Sequence, residues 1–112
     1  MRPAVRMRRR AGAACWSVAL LALALAPDDP FIQDSLGWVE FRLGNLDEAR
    51  RMLQAAYASR PDTEIAAHLG EVLWSAGDQD GAARLWQQAL QLQGDKQTLQ
   101  RTIQRLRLRP QP

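Results

Sequence analysis

The side chains that could perform acid–base chemistry centre on His68, the only histidine of this 112-residue chain. Glu64 precedes it by one helical turn, so the two side chains share one side of a helix. Such a pair could in principle move a proton, but an isolated His–Glu pair at this spacing is typical of a hydrogen bond on a helix surface. The sequence therefore favours a protein that is not an enzyme.

Metal and cofactor chemistry have even less support. Cys15 is the only cysteine, so it forms no disulfide within the chain and no metal site by itself. The glycines beyond residue 30 are spaced as helix punctuation and do not cluster as a phosphate-binding loop would, standing at positions 37, 44, 70, 77, 81 and 94. We expect no cofactor and no metal ion.

The stretch of sequence that contains the predicted helices is repeated along the chain. Most of the distinctive positions between Asp34 and Ala56 return at one fixed offset, which is the distance from Leu36 to Leu69. The matching positions are Leu36-Gly37 and Leu69-Gly70, Val39 and Val72, Gly44 and Gly77, Asp47 and Asp80, Ala49 and Ala82, Arg51 and Arg84, Gln54 and Gln87, and Ala56 and Ala89. We call this offset the repeat period. A period of this length is typical of a unit that buries its apolar face by stacking on copies of itself.

Each copy is predicted to contain two helices separated by a glycine. The first helix begins after Asp29, with Pro30 at its first position, runs to about Leu43 and ends at a left-handed Gly44. Its apolar residues share one face at spacings of three and four, namely Ile32, Leu36, Val39 and Leu43.

The second helix is capped by Asn45, and its core-facing stripe contains Ala49, Met52, Leu53, Ala56 and Tyr57. Pro61 stops it. Asp62 and Asp78 then cap the third and fourth helices, whose stripes contain Ile65, Ala66, Leu69, Val72 and Leu73, then Ala82, Leu85, Trp86, Ala89 and Leu90.

Glycines inside two of these helices predict close helix packing. Gly37 and Gly70 each cost about 1 kcal/mol relative to alanine inside a helix. Close approach of the paired helix, allowed by small residues such as Ala49 and Ala82, would offset that cost.

These units resemble tetratricopeptide repeats. The residues that carry the resemblance are Leu36-Gly37, Gly44, Ala49, Leu53, Ala56 and Pro61 in the first copy, and Leu69-Gly70, Gly77, Ala82, Trp86 and Ala89 in the second. The stretch from Asp28 to Leu73 also resembles the C-terminal repeats of longer bacterial members. The resemblance implies an all-α fold, a short α-solenoid of antiparallel helix pairs, here with a C-terminal capping helix.

The predicted organisation has six segments. They are a basic extension over 1–14, a half-repeat helix or signal-like apolar segment over 15–27, repeat units over 28–61 and 62–94, a capping helix over 95–109 and a tail over 110–112.

The segment before the first unit has two interpretations. A basic start, an apolar run from Ala11 to Ala26 and small residues near its end are the parts of a signal peptide. Alternatively, Pro27 precedes Pro61 by close to one repeat period, as expected if the segment is the second helix of a preceding repeat. We favour the half-repeat and a cytoplasmic location; a signal peptide would instead place the chain in the envelope or at a membrane.

The distribution of charge argues against nucleic acid as a partner. The formal net charge is +3, but all 12 acidic residues lie between Asp28 and Asp95 beside only five arginines, which gives this body a charge of −7. A nucleic-acid groove would need the opposite sign.

We therefore predict a non-catalytic interaction module that binds a protein or peptide segment with apolar and basic residues. The resemblance places such a segment in a concave groove, lined here by Phe31, Asp34, Trp38, Phe41, Arg42, Glu64, His68 and Glu71. Trp38 lies outside the first apolar stripe, which makes it the best candidate for an exposed aromatic anchor. Phe31 and Phe41 could instead pack against a preceding helix. An alternative function is an exported or membrane-associated subunit in envelope assembly, targeted by residues 1–26.

Overall fold

A computed structural model describes residues 29–108, which form five helices and no strand. The helices are α1 Pro30–Arg42, α2 Leu46–Ser59, α3 Thr63–Ser75, α4 Gln79–Ala89 and α5 Gln97–Leu108. They form a short all-α solenoid, as predicted, with α1 and α2 as unit one, α3 and α4 as unit two, and α5 as the last helix. The predicted segments 1–14 and 15–27 and the tail 110–112 lie outside the described residues.

The ends of the helices follow from local chemistry. The carboxylate of Asp29 accepts the backbone N–H of Phe31 at 2.9 Å, and that of Asp62 accepts the N–H of Glu64 at 3.0 Å. Each therefore satisfies a donor that the first turn leaves without a helical partner. Gly44 and Gly77 have φ of 89° and 92° and end α1 and α3 in the left-handed conformation, as predicted.

The turns of the two units differ at the residue that follows the glycine. In unit two, the carboxylate of Asp78 accepts the N–H of Gly81 at 2.9 Å and caps α4. In unit one, Asn45 stands at the start of α2 but makes no capping hydrogen bond. Its Nδ2 donates instead to Oε1 of Glu40 at 2.8 Å. Asn45 therefore occupies the N-cap position of α2, as predicted, but its side chain does not cap the helix, because the buried carboxylate of Glu40 accepts a hydrogen bond from its amide.

The core lies between α2, α3 and α4 and is closed by α5. Its fully buried side chains of largest volume are Trp86, Leu53, Ile65, Leu99, Leu106 and Val72. Trp74 stacks on Trp86 with ring centroids 5.6 Å apart, so both rings pack within unit two. The helix α5 packs against α3 through its buried stripe and leaves Leu108 exposed at its end.

The two mid-helix glycines permit close contact with the paired helix, as predicted. A Cβ on Gly37 would lie 2.8 Å from Cγ of Leu53, and a Cβ on Gly70 would lie 1.9 Å from Nε1 of Trp86. The close approach is therefore confirmed. The side chains nearest these glycines are a buried leucine and a buried tryptophan, and the backbone oxygen of Ala49 lies 3.4 Å from the Cβ position of Gly37.

The apolar stripe of α1 does not face this core. The buried residues of α1 are Asp34, Gly37 and Glu40. Val39 and Leu43, which belong to the stripe, are 41% and 53% exposed. The predicted stripe therefore faces away from this core, because among the described residues α2 and α3 pack on the other side of α1.

Candidate functional site

Two polar side-chain pairs link helices of this solenoid, one between α1 and α3 and the other between α3 and α5. Asp34 of α1 and His68 of α3 are joined through Oδ1 and Nδ1 at 2.7 Å. Arg105 of α5 donates to both carboxylate oxygens of Glu71 of α3, at 2.5 and 3.2 Å. Both pairs span 34 positions of the sequence. We call the surface defined by Asp34, Trp38, His68, Glu71 and Arg105 the pair face.

Aromatic rings pack beside the first of these pairs. The indole of Trp38 stacks on the imidazole of His68, with centroids 4.4 Å apart and planes inclined by 30°. Its other neighbour is Phe41, at 4.9 Å and 35°. Both Trp38 and Phe41 are half-buried, and Phe41 also packs against the core. Trp38 is therefore held between the rings of His68 and Phe41, and the expectation that it is the exposed aromatic of α1 is wrong.

Phe31 is the aromatic residue that is more fully exposed, at 47%. It lies one turn before Asp34 on α1, at the N-terminal end of the pair face. The guanidinium of Arg60, which follows α2, lies 5.2 Å from the centroid of its ring. This contact places a cation on one side of an exposed ring.

The carboxylates around His68 determine its charge. Burial lowers the pKa of His68, whereas the hydrogen bond and the charge of Asp34 raise it. The charges of Glu64 and Glu71 raise it further, and the resulting pKa lies above the ordinary value of 6.5. The predicted hydrogen bond between His68 and Glu64 is wrong, because α1 brings Asp34 to the ring; Glu64 acts on His68 through its charge.

The predicted site residues thus divide into groups. Asp34, Trp38, Phe41 and His68 form one cluster, and Glu71 joins α5 instead of pointing to an open groove. Glu64 and Arg42 are exposed.

Sequence reasoning missed Arg60 and Arg105. A search for opposite charges 34 residues apart, one more than the repeat period, would have found Arg105. Within residues 29–108, no three side chains are grouped as metal ligands, and none of the helices has the length and hydrophobicity to cross a bilayer.

A model of the tetratricopeptide repeat family matches residues 35–97, which include all of α2, α3 and α4. The chain belongs to the tetratricopeptide repeat family. The family is a non-catalytic repeat scaffold whose repeats generally mediate protein–protein interaction.

The chain is also similar to a tetratricopeptide repeat-containing protein of Pseudomonas aeruginosa. The two are 54% identical over 52 residues, which make up 46% of this chain and 9% of that protein. The chain therefore spans only a small part of the length of this relative.

Proposed function

We propose that this tetratricopeptide repeat chain binds a protein or peptide segment along the pair face and has no catalytic activity of its own. The observation that carries this proposal is the exposed ring of Phe31 at the end of a preformed aromatic cluster. Aromatic residues on a rigid support contribute much of the binding energy at protein interfaces, because little of their freedom is lost on binding.

The chemistry of the surface favours a partner segment with apolar and basic side chains. Phe31 and the half-buried Trp38 offer apolar area to an apolar side chain. Glu64 is exposed on the neighbouring helix and would attract a lysine or arginine. Asp34 and Glu71 contribute less to that attraction, since each carboxylate already faces a positively charged or hydrogen-bonding group of the chain.

Selection from a random peptide library displayed on phage, with the full chain as bait, tests this proposal. Selected peptides should combine apolar residues with lysine or arginine. Phe31→Ala should weaken their binding at least about tenfold, as expected for an interface anchor. Glu64→Lys should weaken it too, and more strongly at low salt, because the attraction is screened by ions.

Matched substitutions off the pair face control for general effects. Leu108→Ala removes another exposed apolar side chain, and Asp80→Lys reverses another exposed charge. Both should leave peptide binding unchanged. Peptides whose affinity does not respond to Phe31→Ala or Glu64→Lys would rule out the pair face as the binding surface.

A further inference from the structure

The apolar stripe of α1 and the same stripe of α3 differ in how well they are covered. In α3, Ile65, Leu69 and Val72 are 0%, 4% and 0% exposed. Their counterparts one repeat period earlier are Ile32, Leu36 and Val39. The first two counterparts are half-buried, and the third is 41% exposed. Equivalent residues of one repeat pattern therefore have different surroundings.

The neighbours of the two helices account for this difference. Among residues 29–108, α1 packs against α2 and α3, while α3 packs against α1, α2, α4 and α5. By repeat position, the two neighbours of α1 correspond to α4 and α5 around α3. In addition, α3 packs against α1 and α2, which precede it in the chain. The stripe of α1 therefore lacks, within the described residues, the cover that preceding helices give to α3.

The chain just before α1 has the composition of such a cover. Asp29 precedes Asp62 by one repeat period and Pro27 precedes Pro61 by one position more, so the two approaches to a first helix are alike. Residues 15–26 contain no charged side chain. We shifted each of the four buried positions of α2 towards the N-terminus by the number of residues that separates Pro27 from Pro61. The four residues at the resulting positions are all apolar or small. The buried positions are Ala49, Met52, Leu53 and Ala56, and their counterparts are Cys15, Val18, Ala19 and Ala22.

We propose that residues 15–27 are the segment that covers the apolar stripe of α1. This segment joins α1 directly through Asp28 and Asp29, so its local concentration at the stripe is far above that of a free partner. Covering Val39 and Leu43 would remove apolar surface from water, which stabilises the chain. This surface is separate from the pair face, and the two proposals can fail independently.

Thiol labelling of the full chain tests this proposal, because Cys15 can be replaced by alanine to give a background without cysteine. Val39→Cys then reports on the stripe, and Leu108→Cys reports on a position that is 75% exposed. With a maleimide as the probe, the thiol at position 39 should react at least about tenfold more slowly than the thiol at position 108. Equal rates would overturn the proposal.

A second substitution identifies what covers the stripe. Ala22→Asp should restore fast labelling at position 39, since a charge in the covering segment cannot be buried without a partner. Ala22→Ser, a smaller change at the same position, should keep the protection. Protection that survives Ala22→Asp would contradict the proposal. Circular dichroism checks that each variant is helical, and Leu43→Cys replaces Val39→Cys if the latter unfolds.

Concentration and mass separate the other possible occupants. Protection by a segment of the same chain does not change on tenfold dilution, whereas protection by a second copy falls. The intact mass of the labelled chain shows whether residues 1–26 are present. Protection that falls on dilution, or that persists in chains lacking residues 1–26, would overturn the proposal.

Discussion

Unit one and unit two place a glycine at the same repeat position but pack different side chains against it. Gly37 faces Leu53, and Gly70 faces Trp86, whose Nε1 would lie only 1.9 Å from an added Cβ. Unit two also stacks Trp74 on that indole. The repeat pattern thus determines where the small residue stands, while the side chain opposite determines how strictly it must be glycine.

Removing the large side chain should have the greatest effect. Trp86→Ala should lower the free energy of unfolding by about 4 kcal/mol, and Leu53→Ala by about 3 kcal/mol, since both side chains are fully buried and leave cavities of different size. Urea denaturation followed by circular dichroism measures both. A larger loss for Leu53→Ala would contradict the idea that unit two holds the more demanding contact.

Replacing each glycine by alanine tests the same contacts, Gly70 with Trp86 and Gly37 with Leu53, by changing the glycine instead of the large side chain. Gly70→Ala should cost about 3 kcal/mol, because the buried indole has to move. Gly37→Ala should cost about 1 kcal/mol or less, since a less severe contact with Leu53 is offset by the better helix propensity of alanine. Adding Trp86→Leu to Gly70→Ala, which copies the Leu53 of unit one, should recover part of the loss; no recovery would show that the indole is not the obstacle.

Exchange of the turn chemistry should have an intermediate effect. Asn45→Asp should cost about 2 kcal/mol, because it replaces the amide donor to the buried carboxylate of Glu40 by a second carboxylate. Adding Glu40→Leu gives unit one the residues that unit two has at these positions, Leu73 and Asp78. The double variant should regain most of the stability in urea denaturation. If it is less stable than Asn45→Asp alone, the two turns are not interchangeable.

The two pairs of the pair face should differ in their response to pH, with the smallest effect of this series. His68 has a pKa above 6.5 in the folded chain, so its stabilising contribution is fully present below about pH 6.5 and is lost as pH rises through the folded value. The loss should be less than about 1 kcal/mol, because the pair is partly exposed.

Thermal unfolding between about pH 6 and pH 8 measures this effect. His68→Gln should remove it, whereas Arg105→Gln should leave it in place, since arginine does not titrate in this range. An unchanged pH dependence in His68→Gln would assign the titration to another group.

Local chemistry made much of the fold predictable from the sequence. Asp29, Asp62, Gly44 and Gly77 each act within one helical turn of their own position, and the structure confirms all four. The side-chain cap expected of Asn45 does not form because the buried Glu40, five residues earlier, accepts a hydrogen bond from its amide. The side of α1 that faces the core was not predictable from its pattern alone, because this helix carries apolar residues on both sides.

The pair face was harder to predict because it depends on contacts between helices. The α1 and α3 helices do not bring equivalent repeat positions face to face, since Asp34 contacts His68 and not its counterpart Ala67. Comparing the two units at the repeat period identifies equivalent positions. The residues that contact each other are separated by one residue more than this period.

The central place of α3, which packs against all four other described helices, determines how the chain comes apart. Losing either terminal helix of the described part would leave α3 with its remaining neighbours, so we expect fraying to proceed inward from both ends. Hydrogen exchange should be slowest at the amides of the buried middle of α3, around Val72. Each described helix packs against helices that lie one or two places away from it in the chain. Such local contacts favour rapid folding, because little loop-closure entropy is lost before packing begins.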